Sequence, residues 1–217
     1  MLVGASSFDP ANRAGRPASP AFAYWSTKGR PPIDRLMLAL AAEFHDVDVA
    51  AALDRLDELA RPAFGIAALP QEHAARRLID AIAEGGGMLS SPAGDPDGLM
   101  LDRVLANGRG RPELLAAVYL EVARRAGVSL SLLSSGLNWF LGFEDVDELV
   151  LVAPASFDRP LERIDLRRRC PHGLADAVLG GLGELFCAHG GQAEAAHALT
   201  LRIALHDAQR RGADGST

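Results

Sequence analysis

The run Gly110-Arg-Pro-Glu-Leu-Leu-Ala-Ala-Val-Tyr-Leu-Glu-Val-Ala-Arg-Arg-Ala-Gly127 constrains this chain more than any other stretch. Leu115, Val118, Tyr119, Val122 and Ala126 recur at helical spacing and form one apolar stripe that faces a core. Pro112 suits the first helical position, because the N–H it lacks would be unpaired there anyway. Glu113 complements the positive end of the helix dipole, and Gly127 supplies the left-handed stop. The segment therefore reads as one helix with its start and end written into it.

Helical patterns precede it. Ile33, Leu36, Met37 and Leu40 make a first stripe. Asp48 is placed to cap a second helix carrying Ala52, Leu53, Leu56 and Leu59. A third covers 71–84 with Ala75, Leu78, Ile79 and Ile82 inward, stopped by Gly85-Gly86-Gly87. SSPAGDPDG (90–98) is turn chemistry, and a short helix follows with Leu99, Leu101, Val104 and Leu105 buried.

After Gly127 the period changes. VSLSLLSS, LNWFLGF and ELVLVA are short runs between turn signals, and they read as three strands of an antiparallel sheet. Residues 158–172 are charged and read as irregular. GLADAVLGGLGELFCAH and QAEAAHALTLRIALHDAQ then make two amphipathic helices joined at Gly190-Gly191, an αα-hairpin. The order predicts an α+β fold: N-terminal helices and a central helix packed on a small antiparallel sheet, then the hairpin. The expected division is a mobile or loosely docked tail (1–30), a main domain (31–160), the hairpin (161–211) and a frayed end (212–217). Phe22, Tyr24 and Trp25 interrupt the tail and are expected to dock on the chain's own domain.

With 217 residues, 48% of them hydrophobic, the chain buries enough surface to fold without disulfides or metal. Two cysteines make no disulfide framework. The first thirty residues lack the continuous apolar core of a signal peptide, and no run approaches a membrane span. A cytoplasmic setting, no membrane and no cofactor are expected. A net charge of −6 argues against nucleic acid as a partner. The one basic cluster, Arg167-Arg168-Arg169, reads as a solvated face pairing with the chain's own carboxylates.

At 95–127 the sequence resembles a known family. DPDGLMLDRVL (95–105) and RGRPELLAAVYLEVARRAG (109–127) follow the D-P-x-N-S-x-L-x-x-V-L and R-x-G-I-P-I-S-L-x-x-L-Y-L-E-V-A-R-R-x-G pattern of the SirB-type branch of the transglutaminase-like superfamily. DVDVAAALDRLDELA (46–60) resembles that family's N-terminal part, and the C-terminal hairpin is similar to tetratricopeptide-like helices. The likeness spans roughly 33–205. Catalytic members implied by it use a Cys at the head of the central helix, with a His and an Asp on adjoining strands. The helix terminus and imidazole favour the thiolate, and the Asp fixes the imidazole's tautomer.

This chain departs from that pattern at each place. Pro112 stands where the nucleophile would be, Asn138 or Trp139 (depending on a one-residue gap) where the His would be, and Ala153 where the Asp would be. The pattern's N-S pair is replaced by Gly98 and Leu99. Proline, amide or indole, and methyl neither attack nor transfer protons. The resemblance thus implies the fold and denies its chemistry, and the reaction centre is expected to hold no group able to gain or lose a proton.

Other candidates are few. Cys170, flanked by Arg169, Pro171 and His172 at a helix start, could be a reactive thiol. Cys187 is expected to face its partner helix. The six histidines show no i, i+4 pairing, so a metal site is not indicated. Asp145, Asp147 and Glu148 read as solvated turn acids. The glycine run follows a helix instead of opening one, so it cradles no phosphate. The reading is a non-catalytic protein that binds an unidentified protein or peptide, through the C-terminal hairpin or the cleft near Pro112, Asn138, Trp139 and Ala153. The alternatives are a cysteine-dependent hydrolase or acyltransferase with relocated residues, using Cys170 (beside His172) with a spatially recruited His, and a small-ligand binder in the former cleft.

Overall fold

The structure, a computed structural model, describes residues 16–136, 138–143, 151–152 and 166–214, the side chains of 151–152 and 212–214 excepted. Its centre is α6 (Pro112–Arg125), the helix the sequence punctuates so clearly. Leu114, Leu115, Ala116, Ala117, Val118, Tyr119, Val122 and Ala123 are all buried, so the helix is covered on more than the expected stripe. A helix apolar nearly all round belongs at the middle of a domain. Gly127 ends it at φ +78°, a conformation that only glycine adopts without strain.

Around α6 lie α1 (Pro20–Ser26), α2 (Ile33–Ala41), α3 (Val49–Ala60), α4 (Gln71–Glu84) and α5 (Leu101–Asn107). Ser19 caps α1, with Oγ accepting from the Phe22 N–H at 3.3 Å. Phe22 is fully buried, whereas Tyr24 is 52% exposed. Thus part of the span read as a tail is a helix seated on α2 and α8 (Gln192–Asp214). Asp48 caps α3 as its residue type suggests, Oδ1 accepting from the Ala51 N–H at 3.0 Å. In α4 the buried stripe is Ala74, Ala75, Leu78, Ala81 and Ile82. Ile79, expected inward, is 41% exposed. One residue past Leu78 the helix has turned about 100° away from the core.

The polar residues of the YLEVARR run hold α6 in place. Arg125 reaches Asp34 of α2 (2.8 Å), Asp57 of α3 (2.6 Å) and Glu121 one turn back (2.7 Å). Burial alone would lower the Arg125 pKa, but Asp34 and Asp57 hold it above its ordinary value. Arg124 adds a second contact to Glu121 at 2.8 Å. Asp34 and Glu121 are buried, so these cations neutralise charges that would otherwise be stranded.

Beyond α6 comes a four-stranded sheet in the order β5-β4-β3-β6, antiparallel throughout. β3 (Leu130–Ser135) and β4 (Asn138–Phe143) pair from Leu130↔Phe143 to Ser135↔Asn138, with Gly136 at φ +58° in the tight turn. β5 is Leu151–Val152. The fourth strand, β6 (Arg167–Arg169), corrects the expectation that 158–172 is irregular: Leu133 pairs with Arg168 across the β3 edge. Three exposed arginines in succession carry no alternation to signal a strand. A second, minimal sheet joins β1 (Leu89–Ser90) in parallel to β2 (Arg109–Gly110).

The chain closes with α7 (Pro171–Ala188) and α8, folded back on each other at Gly190, φ +80°. α7 packs on α2, α6 and β6, and α8 on α1. Cys187 is exposed, not turned toward α8 as expected. One contiguous core runs from Phe22 to Leu205 and includes residues of every helix. The architecture is the α+β arrangement expected from the sequence, ending in a helical hairpin. Asp145, Asp147, Glu148 and Ala153 lie outside the described residues.

Candidate functional site

The head of α6 is built by close backbone approach. A Cβ on Gly110 would meet Val104 Cγ1 at 2.9 Å and Leu115 Cδ2 at 3.1 Å, so glycine is required where β2 turns into the helix. Arg111 N–H donates to the Gly98 carbonyl (2.8 Å), and Ser91 N–H donates to the Gly110 carbonyl (2.9 Å). These bonds draw the turn-rich segment 90–98 against the start of α6. Pro112 occupies N1, without a side-chain cap before it.

In front of this head lies a cleft of about 610 Å³. One wall is Ser90, Ser91, Arg111, Pro112 and Glu113; a second is Gly136, Asn138 and Trp139 from the β3–β4 hairpin. The third comes from Arg169 of β6, from Gly173, Asp176, Ala177, Gly180, Gly181 and Glu184 of α7, and from Arg202 of α8. The two surfaces that the sequence left as alternatives, the hairpin and the cleft near Pro112 and Trp139, are therefore walls of the same hollow. A Cβ on Gly180 would sit at ordinary contact distance from Arg202, 3.7 Å. Trp139 is only 8% exposed and belongs to the core, yet the hollow beside it is not filled.

Pro112, Asn138 and Trp139 are thus brought together, and none titrates. The wider expectation of a site without titratable groups is corrected by the surrounding walls, which carry three carboxylates and three guanidiniums. Glu113 is 7% exposed, and burial pushes its carboxyl above the ordinary 4.5, against the smaller opposing effects of its own N–H and of Arg111. The Arg111 guanidinium stands 3.9 Å away, beyond hydrogen-bond reach. Asp176 behaves in the opposite way. Burial would raise it, but Arg202 and His206 hold it below its ordinary 3.8. Arg202 grips both its oxygens, at 2.9 and 3.3 Å, and His206 Nε2 lies 3.0 Å from Oδ1. Hydrogen bonding to Asp176 in turn raises the Arg202 pKa. Asp176 and Arg202 thus form a salt-linked pair, each held toward its charged form by the other and unsuited to passing a proton.

The relocated thiol is not assembled into a dyad. Cys170 is exposed and caps α7, its Sγ accepting from the Gly173 N–H at 3.4 Å. His172 is buried, with Nε2 3.0 Å from the Ser26 carbonyl, so its ring fastens α7 to α1. No hydrogen bond joins the two among the described residues. His45 faces Asp102 (2.7 Å) and His197 faces Glu43 (3.2 Å), each in a separate pair. Among the described residues no group of three His, Cys, Asp or Glu side chains is placed to hold a metal ion. No described helix is long and apolar enough to cross a membrane.

Sequence reasoning passed over Glu113, Arg111, Arg169, Asp176 and Arg202 as site residues. Glu113 stood next to Pro112 and was read for its effect on the helix dipole alone. Asp176 and Arg202 lie on different helices and meet only when the hairpin closes, so no local signal could have joined them.

Residues 48–178, more than half of the chain, match the family described as the transglutaminase-like superfamily. The chain belongs to that superfamily. No curated protein and no solved structure matches it.

Proposed function

We propose that this protein is a non-catalytic member of the transglutaminase-like superfamily, of the SirB-type branch, that binds a protein segment or peptide in the cleft at the head of α6. On this reading it works in the cytoplasm, with 31–160 as the domain proper and the tetratricopeptide-like pair 161–211 as a contributed wall. One observation carries the proposal: a hollow of about 610 Å³ persists beside Pro112, Asn138 and Trp139, positions with neither nucleophile nor base. Polar and charged groups rim it and an indole and a proline supply apolar surface, a combination suited to holding a ligand in one orientation. Among the described residues Cys170 is hydrogen-bonded to the Gly173 N–H and to no histidine, which supports binding over relocated chemistry.

A displayed random-peptide library tests this. Sequences enriched on the wild-type chain should be lost on Gly180→Trp, which fills the cleft from α7, and should return from the protein with unchanged mass. Enrichment that ignores Gly180→Trp, or peptides that come back cleaved or modified, would contradict the proposal.

A further inference from the structure

α8 carries apolar residues on two opposite faces. Ala195, Ala198, Leu201, Leu205 and Ala208 are buried against the chain's own core. Gln192, Ala196, Leu199, Ile203, His206 and Arg210 follow one another at steps of four, three, four, three and four residues, and all are exposed. That alternation is the spacing of a coiled-coil seam, which keeps a single line of side chains turned toward a partner helix. At its centre Leu199 and Ile203, one turn apart, are 56% and 55% exposed. They make a contiguous aliphatic strip, unlike the scattered apolar residues that any surface carries. His206 meets Asp176, and Arg210 lies 3.8 Å from Asp207, but the two side chains remain 48% and 78% exposed, so the seam is uncovered along its length.

We infer that the occupant of this seam is α8 of a second copy of the chain, lying antiparallel across a two-fold axis at the level of Leu201. The residue pattern selects both the partner and its direction. In that register Leu199 faces the partner's Ile203, so apolar meets apolar at the centre. Next outward, Ala196 faces the partner's His206, a small side chain against a large one. At the ends Gln192 faces the partner's Arg210, an amide oxygen against a guanidinium donor. Each pair recurs on the other side of the axis, as an isologous contact requires. A parallel pair would instead set Arg210 on the partner's Arg210, cation on cation, and Ala196 on the partner's Ala196, leaving a gap beside the apolar centre. Arg202, one residue from the axis, is already neutralised by Asp176 of its own copy, so the pairing brings no two bare cations together. None of the six seam residues lines the cleft, and the pairing is independent of what the cleft binds. Six positions per copy fall well short of the roughly 20 residues a side of a standard interface, so the dimer is weak, dissociating at roughly micromolar to millimolar concentration.

Sedimentation equilibrium of the full chain, carried to about 1 mM, tests the pairing. The average mass should climb from 22.9 kDa toward twice that value as concentration rises. Leu199→Glu and Ile203→Glu, each at an exposed position, should weaken the dimer roughly tenfold or more while the circular dichroism of the chain stays unchanged. Disulfide formation in a Cys170→Ser, Cys187→Ser background reads the orientation. Chains carrying Gln192→Cys should cross-link to chains carrying Arg210→Cys, and neither preparation should cross-link to itself. A chain that keeps the monomer mass throughout, or a dimer indifferent to both Glu variants, would overturn the inference. So would disulfides within the Gln192→Cys preparation alone, which a parallel pair would give.

Discussion

Glu113 and Glu43 are both buried carboxylates, and their surroundings push them in opposite directions. For Glu113 burial dominates and raises the pKa above 4.5. The folded protein then holds this proton more tightly than the unfolded chain, so the group's contribution to stability is complete below 4.5 and is lost as pH rises through the raised value. Glu113→Gln should therefore melt higher than the wild type at neutral pH, with the gain vanishing below 4.5; thermal melts across that range check it. For Glu43 burial also pushes upward, but hydrogen bonds from His197 and from the Ser19 N–H (2.7 Å) prevail and hold the pKa below 4.5. Its stabilisation is present above 4.5 and fades as pH falls. His197 and Glu43 side chains are 0% and 1% exposed, so His197→Leu strands a carboxylate and should cost about 3 kcal/mol in urea denaturation. Glu43→Met combined with His197→Leu should recover much of that loss. A smaller loss from the single variant would mean that water reaches the pair.

Elements of this chain were legible where their ends were written in residues with one physical reason to be there. Pro112 and Gly127 bound α6, Asp48 starts α3, and Gly190 turns α7 into α8. Gly127 illustrates the strength of such a signal. Its φ of +78° would force alanine into the left-handed region, so Gly127→Ala should lower stability by about 1 kcal/mol by chemical denaturation, although Ala67 at 3.6 Å leaves room for the methyl. Elements without punctuation or period escaped. β1 and β2 are two residues each, and β6 is three arginines that became a strand only because the β3 edge was available to pair with. Tertiary pairing decided these, and no window of sequence contains its partner. Ile79 failed for a related reason: the apolar set of α4 is wider than the face that meets the core, and only packing chooses among its members.

At the scale of the molecule, the sequence pointed to Pro112, Asn138 and Trp139 but not to what stands around them. Pro112, Asn138 and Trp139 could be placed from motif and spacing, and they share a cleft. The charged rim could not, because it is assembled from the turn before α6, from α6 itself, from an edge strand and from two further helices, running along the chain from Arg111 to Arg202. The αα-hairpin is therefore more than an appendage. Its α7 face and Arg202 complete the hollow that α6 and β4 begin, and a ligand held there would bridge the hairpin and the core, stabilising both together. The central claim is that this cleft has kept its shape while losing its reactive groups. Intact-mass spectrometry of the folded chain after exposure to an activated acyl ester tests it most directly. The account predicts no adduct on any residue of the cleft, with Cys170 and Cys187 labelled alike and slowly as exposed thiols. A rapid, stoichiometric acyl adduct at a single site, whether Cys170 or Glu113, would contradict it.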